Sequence, residues 1–156
     1  MAATSTPSIS SLVARLCAQY PDLRLEVSDD LSWNPTKQTV YYAADSTASD
    51  LLHEVGHALL GHKDFKRDIR LLEMERDAWT KARDIAASLD LSIDEEIATA
   101  HLDTYRDWLH ARSTCPKCGE TGLETDTHIY SCLSCGARWR VNDARRHALR
   151  RYIVSK

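Results

Sequence analysis

The chain has 156 residues, of which 43% are hydrophobic and 28% are charged. This composition predicts a folded protein with one modest core and a small appendage, and it excludes a disordered chain. No apolar run approaches the ~20 residues of a membrane span, and the N-terminal residues lack the basic and apolar segments of a signal peptide. We therefore expect a cytoplasmic protein that does not contact a membrane.

The net charge of -3 conceals two oppositely charged parts. Residues 1–111 carry 11 Lys and Arg against 19 Asp and Glu, whereas residues 112–156 carry 9 against 4. Residues 112–156 also contain four cysteines. If these bound one zinc ion as thiolates, the thiolates and the ion together would add a charge of about -2 to this part of the chain. The remaining positive charge falls well short of a dedicated nucleic-acid-binding segment, so nucleic-acid contact through residues 112–156 is left open and is not favoured.

The first elements along the chain are predicted to be a helix and a small sheet. Apolar residues recur at helical spacing over residues 9–20, and Pro21 ends the run. Alternating apolar and polar residues at 23–27 predict a strand, and the β-rich run at 39–42 predicts another. We expect a largely antiparallel sheet whose last strand is an edge. That edge either holds an extended peptide over a metal or serves only as scaffolding.

The next helix carries the clearest functional motif, because residues 50–62 read DLLHEVGHALLGH. His53 and His57 are four residues apart, so both imidazoles lie on one face of a helix and can bind one zinc ion. Glu54 is then placed to act as general base toward a zinc-activated water. Gly61 predicts the C-terminal end of the helix. The alternative is a surface helix that carries two solvated histidines.

A long helix predicted over residues 65–89 supplies the third ligand. At ~100° per residue its apolar residues form one broad face, with Glu75 near the middle and Glu73 about 160° away. A carboxylate in an apolar face is costly without a positive partner, and zinc held by His53 and His57 would be such a partner. We therefore predict Glu75 as the third ligand, with Glu73 as the alternative. Without a metal, Glu75 would be a buried carboxylate paired with an arginine.

The other histidines are not assigned to this metal. A third helix is predicted over residues 92–111, with a Ser-x-x-Glu capping box at 92–95, and its His101 is better explained as a core histidine. A site of the H-E-x-x-H-x-x-G-x-x-H type requires its third histidine one residue after His62. On a continuing helix His62 would also point about 140° away from His57. We assign His62 to the helix terminus, where an imidazolium favours the dipole.

The C-terminal part predicts a zinc ribbon. Two C-x-x-C pairs, separated by thirteen residues, supply four thiolates: Cys115, Cys118, Cys132 and Cys135. Four sulfurs at this spacing form a closed tetrahedral zinc site, so the predicted role of this zinc is structural. Strands are predicted at residues 129–130 and 137–141, and a basic closing helix is predicted at 140–152.

Together these elements predict an α+β fold with two domains and two zinc ions. Residues 1–111 would form a metallopeptidase-like domain, in which a small antiparallel sheet is combined with helices that carry the catalytic HExxH zinc. Residues 112–156 would form the zinc ribbon and its closing helix, with the structural zinc.

The run HEVGHALLGH, followed by ERDAW and a cysteine ribbon, resembles the ImmA/IrrE-like zinc metallopeptidases of the gluzincin type over roughly residues 23–90. The resemblance implies a third ligand in an E-x-E-A-N-like motif on the next helix; alignment on E-x-E puts Glu73 first and Asp77 in the Asn position. It also implies a DNA-binding repressor as substrate. SprT-like proteases are the second candidate family. They join HExxH to a zinc ribbon, act on DNA-associated proteins and use a third histidine, for which only His101 or His110 is available.

We therefore expect a zinc-dependent endopeptidase. A metal-activated water would attack a peptide carbonyl, and Glu54 would carry the proton from that water to the leaving amine. The alternative from a different class is a non-catalytic DNA- or protein-binding module in which zinc only braces the fold. The presence of Glu54 argues against that alternative, because a purely structural site has no need of a general base.

Overall fold

The computed structural model describes residues 6–142 and 148–155. Within these ranges it has an α+β architecture of four helices and seven strands, and none of the helices is long and apolar enough to cross a membrane. In chain order the elements are α1 (Ile9–Gln19), β1 (Arg24–Val27), β2 (Ser32–Asn34), β3 (Thr39–Tyr42), α2 (Ala48–Leu60), α3 (Asp68–Ser88), α4 (Glu95–Ser113), β4 (Leu123–Asp126), β5 (Ile129–Ser131), β6 (Arg138–Val141) and β7 (Arg151–Ile153).

The described chain divides into two compact units. The first takes the residues up to Lys63 together with Met74–Thr99, and the second takes Asp64–Glu73 together with the residues from Ala100 onward. The division falls inside α3 and α4, so each of these helices contributes residues to both units. The predicted domains, residues 1–111 and 112–156, place the boundary at a single point of the chain and stay a prediction.

The sheet of the first unit is mixed, with the order β1-β3-β2. β1 pairs with β3 in parallel and β2 pairs with β3 antiparallel, so the fully buried Val40 of β3 lies between Leu25 and Trp33. The expectation of a largely antiparallel sheet with residues 39–42 at its edge is therefore wrong. A tight turn reverses the chain between β2 and β3, and β3 returns between the two earlier strands. The two edge strands are therefore β1 and β2.

Helix α2 has well-defined caps at both ends. The Thr47 hydroxyl accepts the Asp50 backbone N–H at 3.1 Å, and Gly61 ends the helix in the left-handed conformation at φ 65°. Beyond the end, the Gly61 N–H bonds the Ala58 carbonyl and the His62 N–H bonds the His57 carbonyl, each at 3.1 Å. This pair of bonds is the Schellman motif. The predicted helix and its stop at Gly61 are confirmed.

Helix α4 begins later than the sequence suggested. Asp94 is its cap, because the Asp94 carboxylate accepts the backbone N–H of Glu96 at 3.0 Å. The predicted capping box at residues 92–95 is wrong. The Ser-x-x-Glu pattern is present, but the aspartate directly before the helix satisfies the first free N–H groups instead.

Helices α2 and α3 approach each other closely at Gly56. A Cβ atom added at Gly56 would lie 2.5 Å from the backbone oxygen of Ala78, so only glycine allows this approach. Ala78 is fully buried and is one helical turn beyond Glu75. The glycine between Glu54 and His57 therefore determines how near Glu75 comes to the two histidines.

We expect Gly56→Ala to destabilise the chain by about 1–3 kcal/mol, the usual cost of overpacking a core. The added methyl group has to push backbone rather than a flexible side chain, so zinc affinity of the first unit should fall as well. Thermal unfolding and zinc titration would measure the two effects. Ala58→Gly, on the same helix, is the control: it costs helix propensity but adds no steric contact. A Gly56→Ala chain with unchanged zinc affinity would contradict this account.

The second unit contains an antiparallel sheet in the order β4-β5-β6-β7. Its small core consists of five buried residues: Cys115, Tyr130, Cys132, Trp139 and Val141. The prediction of a closing helix at residues 140–152 is wrong for both ends of that range. These ends belong to β6 and β7, which pair antiparallel with Arg140 opposite Tyr152. The middle of that range, residues 143–147, lies outside the described residues. Basic composition suggested the helix, whereas sheet pairing determines the conformation of these strands.

Candidate metal centres

His53, His57 and Glu75 meet inside the first unit. Nε2 of His53 lies 3.0 Å from Oε2 of Glu75, and Nε2 of His57 lies 3.3 Å from the same oxygen. The two Nε2 atoms are 3.1 Å apart. All three side chains are buried, with 2%, 7% and 5% of the residue surface exposed. A surface helix with two solvated histidines is therefore excluded.

The spacing of these three atoms fits zinc. A tetrahedral zinc with bonds of about 2.0–2.1 Å separates its ligand atoms by about 3.3 Å. The three separations, from 3.0 to 3.3 Å, lie at or just below this value. The two nitrogens and one oxygen are therefore spaced as three ligand atoms of one tetrahedral zinc would be. Two histidines with one carboxylate are a ligand set that zinc accepts in catalytic sites, where a fourth position stays open.

The local structure orients the two rings. Successive turns of α2 place both imidazoles on one face, and their ring centroids are 4.6 Å apart. The fully buried Trp79 stacks on His53, with ring centroids 4.3 Å apart and an angle of 27° between the rings. Trp79 lies one turn beyond Glu75 on α3, so the same helix supplies a carboxylate for both histidines and a flat surface for one of them.

The charges at this site suit a cation. Burial lowers the pKa of His53 below its ordinary value, which keeps the imidazole neutral, the form that binds metals. Burial alone would raise the pKa of Glu75, but the contacts with His53 and His57 outweigh it and hold that pKa well below its usual range. The site thus combines a neutral His53 imidazole with one ionised carboxylate.

Glu54 does not join this group of candidate ligand atoms. Its Oε2 accepts the backbone N–H of Trp33, in β2, at 2.8 Å. Burial raises the pKa of Glu54 to about 7, although His57 and the Trp33 N–H act in the opposite direction. Glu54 is therefore a carboxylate held beside the histidines by a strand edge, not one that points at the same centre.

The other predicted candidates lie elsewhere. Glu73 is half exposed, with 43% of its side chain accessible, and it pairs with Arg70 at 3.3 Å. His101 contacts Tyr105 with ring centroids 5.2 Å apart, and His110 is exposed. Within the part of the chain that the structure describes, the groups that could hold a metal do not include His101, His110 or Glu73. The predicted burial of Glu75 is confirmed, and its role as ligand stays a prediction.

The sequence analysis missed one functional neighbour, His62. Its Nδ1 lies 2.8 Å from Nδ1 of His57, and the residue is buried. Extrapolation of a continuous helix pointed His62 away from His57, but the left-handed turn at Gly61 ends the helix and brings His62 back. The helix-stop glycine directly before His62 was the signal that could have found this contact.

The four cysteines form a second group, in the second unit. Cys115 Sγ lies 3.7 Å from Cys135 Sγ, and Cys118 Sγ lies 3.5 Å from Cys132 Sγ. A tetrahedral zinc with sulfur bonds of about 2.3 Å separates its sulfurs by about 3.8 Å, so the arrangement fits zinc. These cysteines are not joined by disulfides, because an S–S bond is about 2.05 Å long. The predicted four-cysteine cluster is therefore present as a candidate metal site.

Backbone N–H groups favour the thiolate at Cys115 and Cys132; at Cys118 the Glu120 N–H acts in the same direction, but burial and the other three cysteines outweigh it and raise the pKa. Gly119 and Gly136 follow the two pairs with φ of 81° and 75°, and each bonds back to the carbonyl of the first cysteine at 2.9 Å. Burial opposes ionisation of Cys115, but the backbone N–H groups of Cys118 and Lys117 outweigh it and lower its pKa to about 6. The N–H of Cys135 likewise lowers the pKa of Cys132. Thiolates are the form that zinc binds.

A third group, formed by Asp68, Glu124 and His128, is an ion-pair network. The fully buried Asp68 accepts two hydrogen bonds from Arg112, at 2.7 and 3.2 Å, and one from the Tyr130 hydroxyl at 2.5 Å. The Arg112 guanidinium already supplies the positive charge that this carboxylate requires. A metal ion there would lie beside that guanidinium, so we assign the group to the core of the second unit.

Comparison with known proteins adds no relative, because no family model, no curated protein and no solved structure matches this chain. The resemblance to the ImmA/IrrE-like peptidases therefore depends on the motif residues alone.

Proposed function

We propose that the first unit contains the active site of a zinc-dependent peptidase. The observation that carries the proposal is the convergence of His53 Nε2, His57 Nε2 and Glu75 Oε2 within 3.0–3.3 Å of one another. Glu54, adjacent to His53 in the chain, brings a carboxylate to the same region without joining the ligand atoms. Three ligands with a separate carboxylate suit hydrolysis better than a closed structural site, which would use four protein ligands.

In this proposal, His53, His57 and Glu75 hold the zinc. Bound zinc would supply a Lewis acid that polarises a peptide carbonyl and acidifies a water molecule. The Glu54 carboxylate accepts the proton of the attacking water and delivers it to the amide nitrogen that leaves. Trp79 keeps the His53 ring in place by stacking, and the three side chains that would hold the zinc are buried.

The substrate would be an extended stretch of polypeptide that lies along β2. β2 is one of the two edge strands of the sheet, and its Trp33 N–H donates to the Glu54 carboxylate. A peptide added to this edge would therefore run past the proposed base. Edge pairing uses backbone groups, so it accepts many sequences. No residue of this chain specifies a particular substrate, and a DNA-binding regulator is proposed only from the family resemblance.

The second zinc would be structural. Cys115, Cys118, Cys132 and Cys135 fill all four positions of a tetrahedral site, so no position is left for water or substrate. We propose one catalytic and one structural zinc in each chain.

The acidic third ligand supports the ImmA/IrrE-like class over the SprT-like class. The SprT-like interpretation needs a third histidine, whereas the carboxylate of Glu75 is the group that lies beside His53 and His57. The proposed membership is therefore gluzincin-type.

One observation favours a second function, that of a non-catalytic zinc-braced module. The bond from Trp33 to Glu54 shows that this carboxylate can also serve to hold the edge strand. In that case Glu54 would be a structural acceptor and the ribbon would provide the binding surface for DNA or protein.

Glu54→Gln separates the two functions. Glutamine keeps an oxygen that can accept the Trp33 N–H, but it cannot take up a proton, so the fold should survive and peptide hydrolysis should fall by about 10²–10⁴-fold. Cleavage of a synthetic peptide library, read by mass spectrometry, and zinc content would be measured together. Glu73→Gln is the matched control and should behave as the unaltered chain. Undiminished cleavage by Glu54→Gln, or no cleavage by the zinc-loaded unaltered chain, would contradict the proposal.

A further inference from the structure

The contact between His57 and His62 extends the proposed zinc site outward. The two Nδ1 atoms are 2.8 Å apart, a short hydrogen-bond distance, and both residues are buried. Their ring centroids are 5.0 Å apart, at an angle of 68°. One of the two nitrogens must donate a proton and the other must accept it, because two lone pairs cannot share this distance.

The position of His57 determines which nitrogen donates. Its Nε2 faces Glu75 and His53, so this nitrogen needs its lone pair to bind a metal. In a neutral imidazole the proton is then on Nδ1. Nδ1 of His57 therefore donates to Nδ1 of His62. His62 takes the place that a carboxylate or carbonyl usually has behind a metal-binding histidine.

The chain builds this contact through the end of α2. In a Schellman motif, the second residue beyond the helix lies against the residue three positions inside its end. Here these residues are His62 and His57, joined also by the bond from the His62 N–H to the His57 carbonyl. The indole N–H of Trp33 donates to the His62 carbonyl at 2.8 Å, which fixes the backbone of His62 from the other side.

We propose that His62 is a positioning residue that orients His57 for zinc. The inference rests on the proposed function only in so far as zinc binds His53, His57 and Glu75. His62 acts through His57 by fixing its tautomer and ring orientation, and it does not itself bind the metal. Outer partners of metal-binding histidines typically contribute a factor of 10–100 in metal affinity.

His62→Ala, His62→Asn and Lys63→Ala test the inference in the full-length chain. Asparagine places an oxygen near the position of His62 Nδ1 and can accept the same proton, whereas alanine cannot. Lys63 is the exposed neighbouring residue and serves as control. Zinc affinity would be measured by competition with a chromophoric chelator, with a His53→Ala chain to define the zinc held by the cysteines. Thermal unfolding of the metal-free chains would be recorded beside it.

We expect His62→Ala to weaken zinc binding in the first unit by about 10–100-fold, His62→Asn to recover most of the loss, and Lys63→Ala to change nothing. Unchanged affinity in His62→Ala would overturn the positioning role. Equal losses in the alanine and asparagine variants, matched by equal losses of metal-free stability, would also overturn it, because they indicate packing alone. The expected pattern in a chain without peptidase activity would support the positioning role and contradict the proposed function. Absence of zinc from the first unit of the unaltered chain would overturn both.

Discussion

Glu75→Ala is expected to reduce zinc affinity of the first unit by more than about 100-fold, because loss of a ligand should exceed the 10–100-fold effect of losing an outer partner. Oε2 of Glu75 is the oxygen within 3.3 Å of both histidine nitrogens, and alanine offers no replacement. A zinc ion at this site would then keep only the two imidazoles as protein ligands. Competition with a chelator, on the full-length chain with its cysteine site loaded, would measure the change.

Glu73→Ala is the matched control for this experiment. Both glutamates lie on α3 two residues apart, but Glu73 is half exposed and pairs with Arg70. Its removal should cost under ~0.5 kcal/mol of stability and leave zinc affinity unchanged, as surface substitutions usually do. If Glu73→Ala lost the metal while Glu75→Ala kept it, the third ligand would be Glu73, as the E-x-E alignment implies. The assignment of Glu75 from the apolar face of the helix would then be wrong.

Replacing Cys115 and Cys132 together with serine should remove one of two zinc ions and unfold the four-stranded sheet. Two of the five buried residues in that core are these cysteines, so little apolar area remains without metal. Apparent zinc-binding free energies of small zinc modules are about 10–16 kcal/mol, more than such a core supplies. Elemental analysis and amide hydrogen exchange of β4, β5 and β6 would report the two effects.

Cys17→Ser is the control for the paired substitution. Cys17 is exposed on α1 and does not belong to the four-cysteine group, so its replacement should leave zinc content and hydrogen exchange unchanged. A metal-replete unaltered chain that holds a single zinc would show that one of the two candidate centres does not bind zinc.

The sequence was most informative where the relevant spacing is local. His53 and His57 share a helix face, and the C-x-x-C pairs form their own turns, so these groupings follow from a few consecutive residues. The burial of Glu75 was predicted from its position in the middle of an apolar helix face that extends over more than one turn. In each of these cases the geometry depends on one element, whose period is known in advance.

The sequence was least informative where one residue changes the direction of the chain or where distant strands pair. Gly61 ends α2, so an angle extrapolated past it gave the wrong position for His62. The order β1-β3-β2 depends on which strand β3 pairs with, and β propensity at residues 39–42 contains no information about that choice. The strand pairing of Arg140 with Tyr152 likewise joins residues twelve positions apart, where basic composition alone suggested a helix.

The separation of the four sulfurs has a consequence for redox chemistry. Cys115 Sγ is 3.7 Å from Cys135 Sγ and Cys118 Sγ is 3.5 Å from Cys132 Sγ, whereas a disulfide bond is about 2.05 Å long, so each pair would have to close by about 1.5 Å to form one. The lowered pKa of Cys115 supplies the thiolate that reacts with an oxidised partner. If a two-electron oxidant joined each pair in the metal-free chain, the four candidate zinc ligands would become two disulfides, which do not offer thiolates to a metal. We therefore expect a metal-free chain that has been oxidised in air to recover zinc at the cysteines only after a reductant is added.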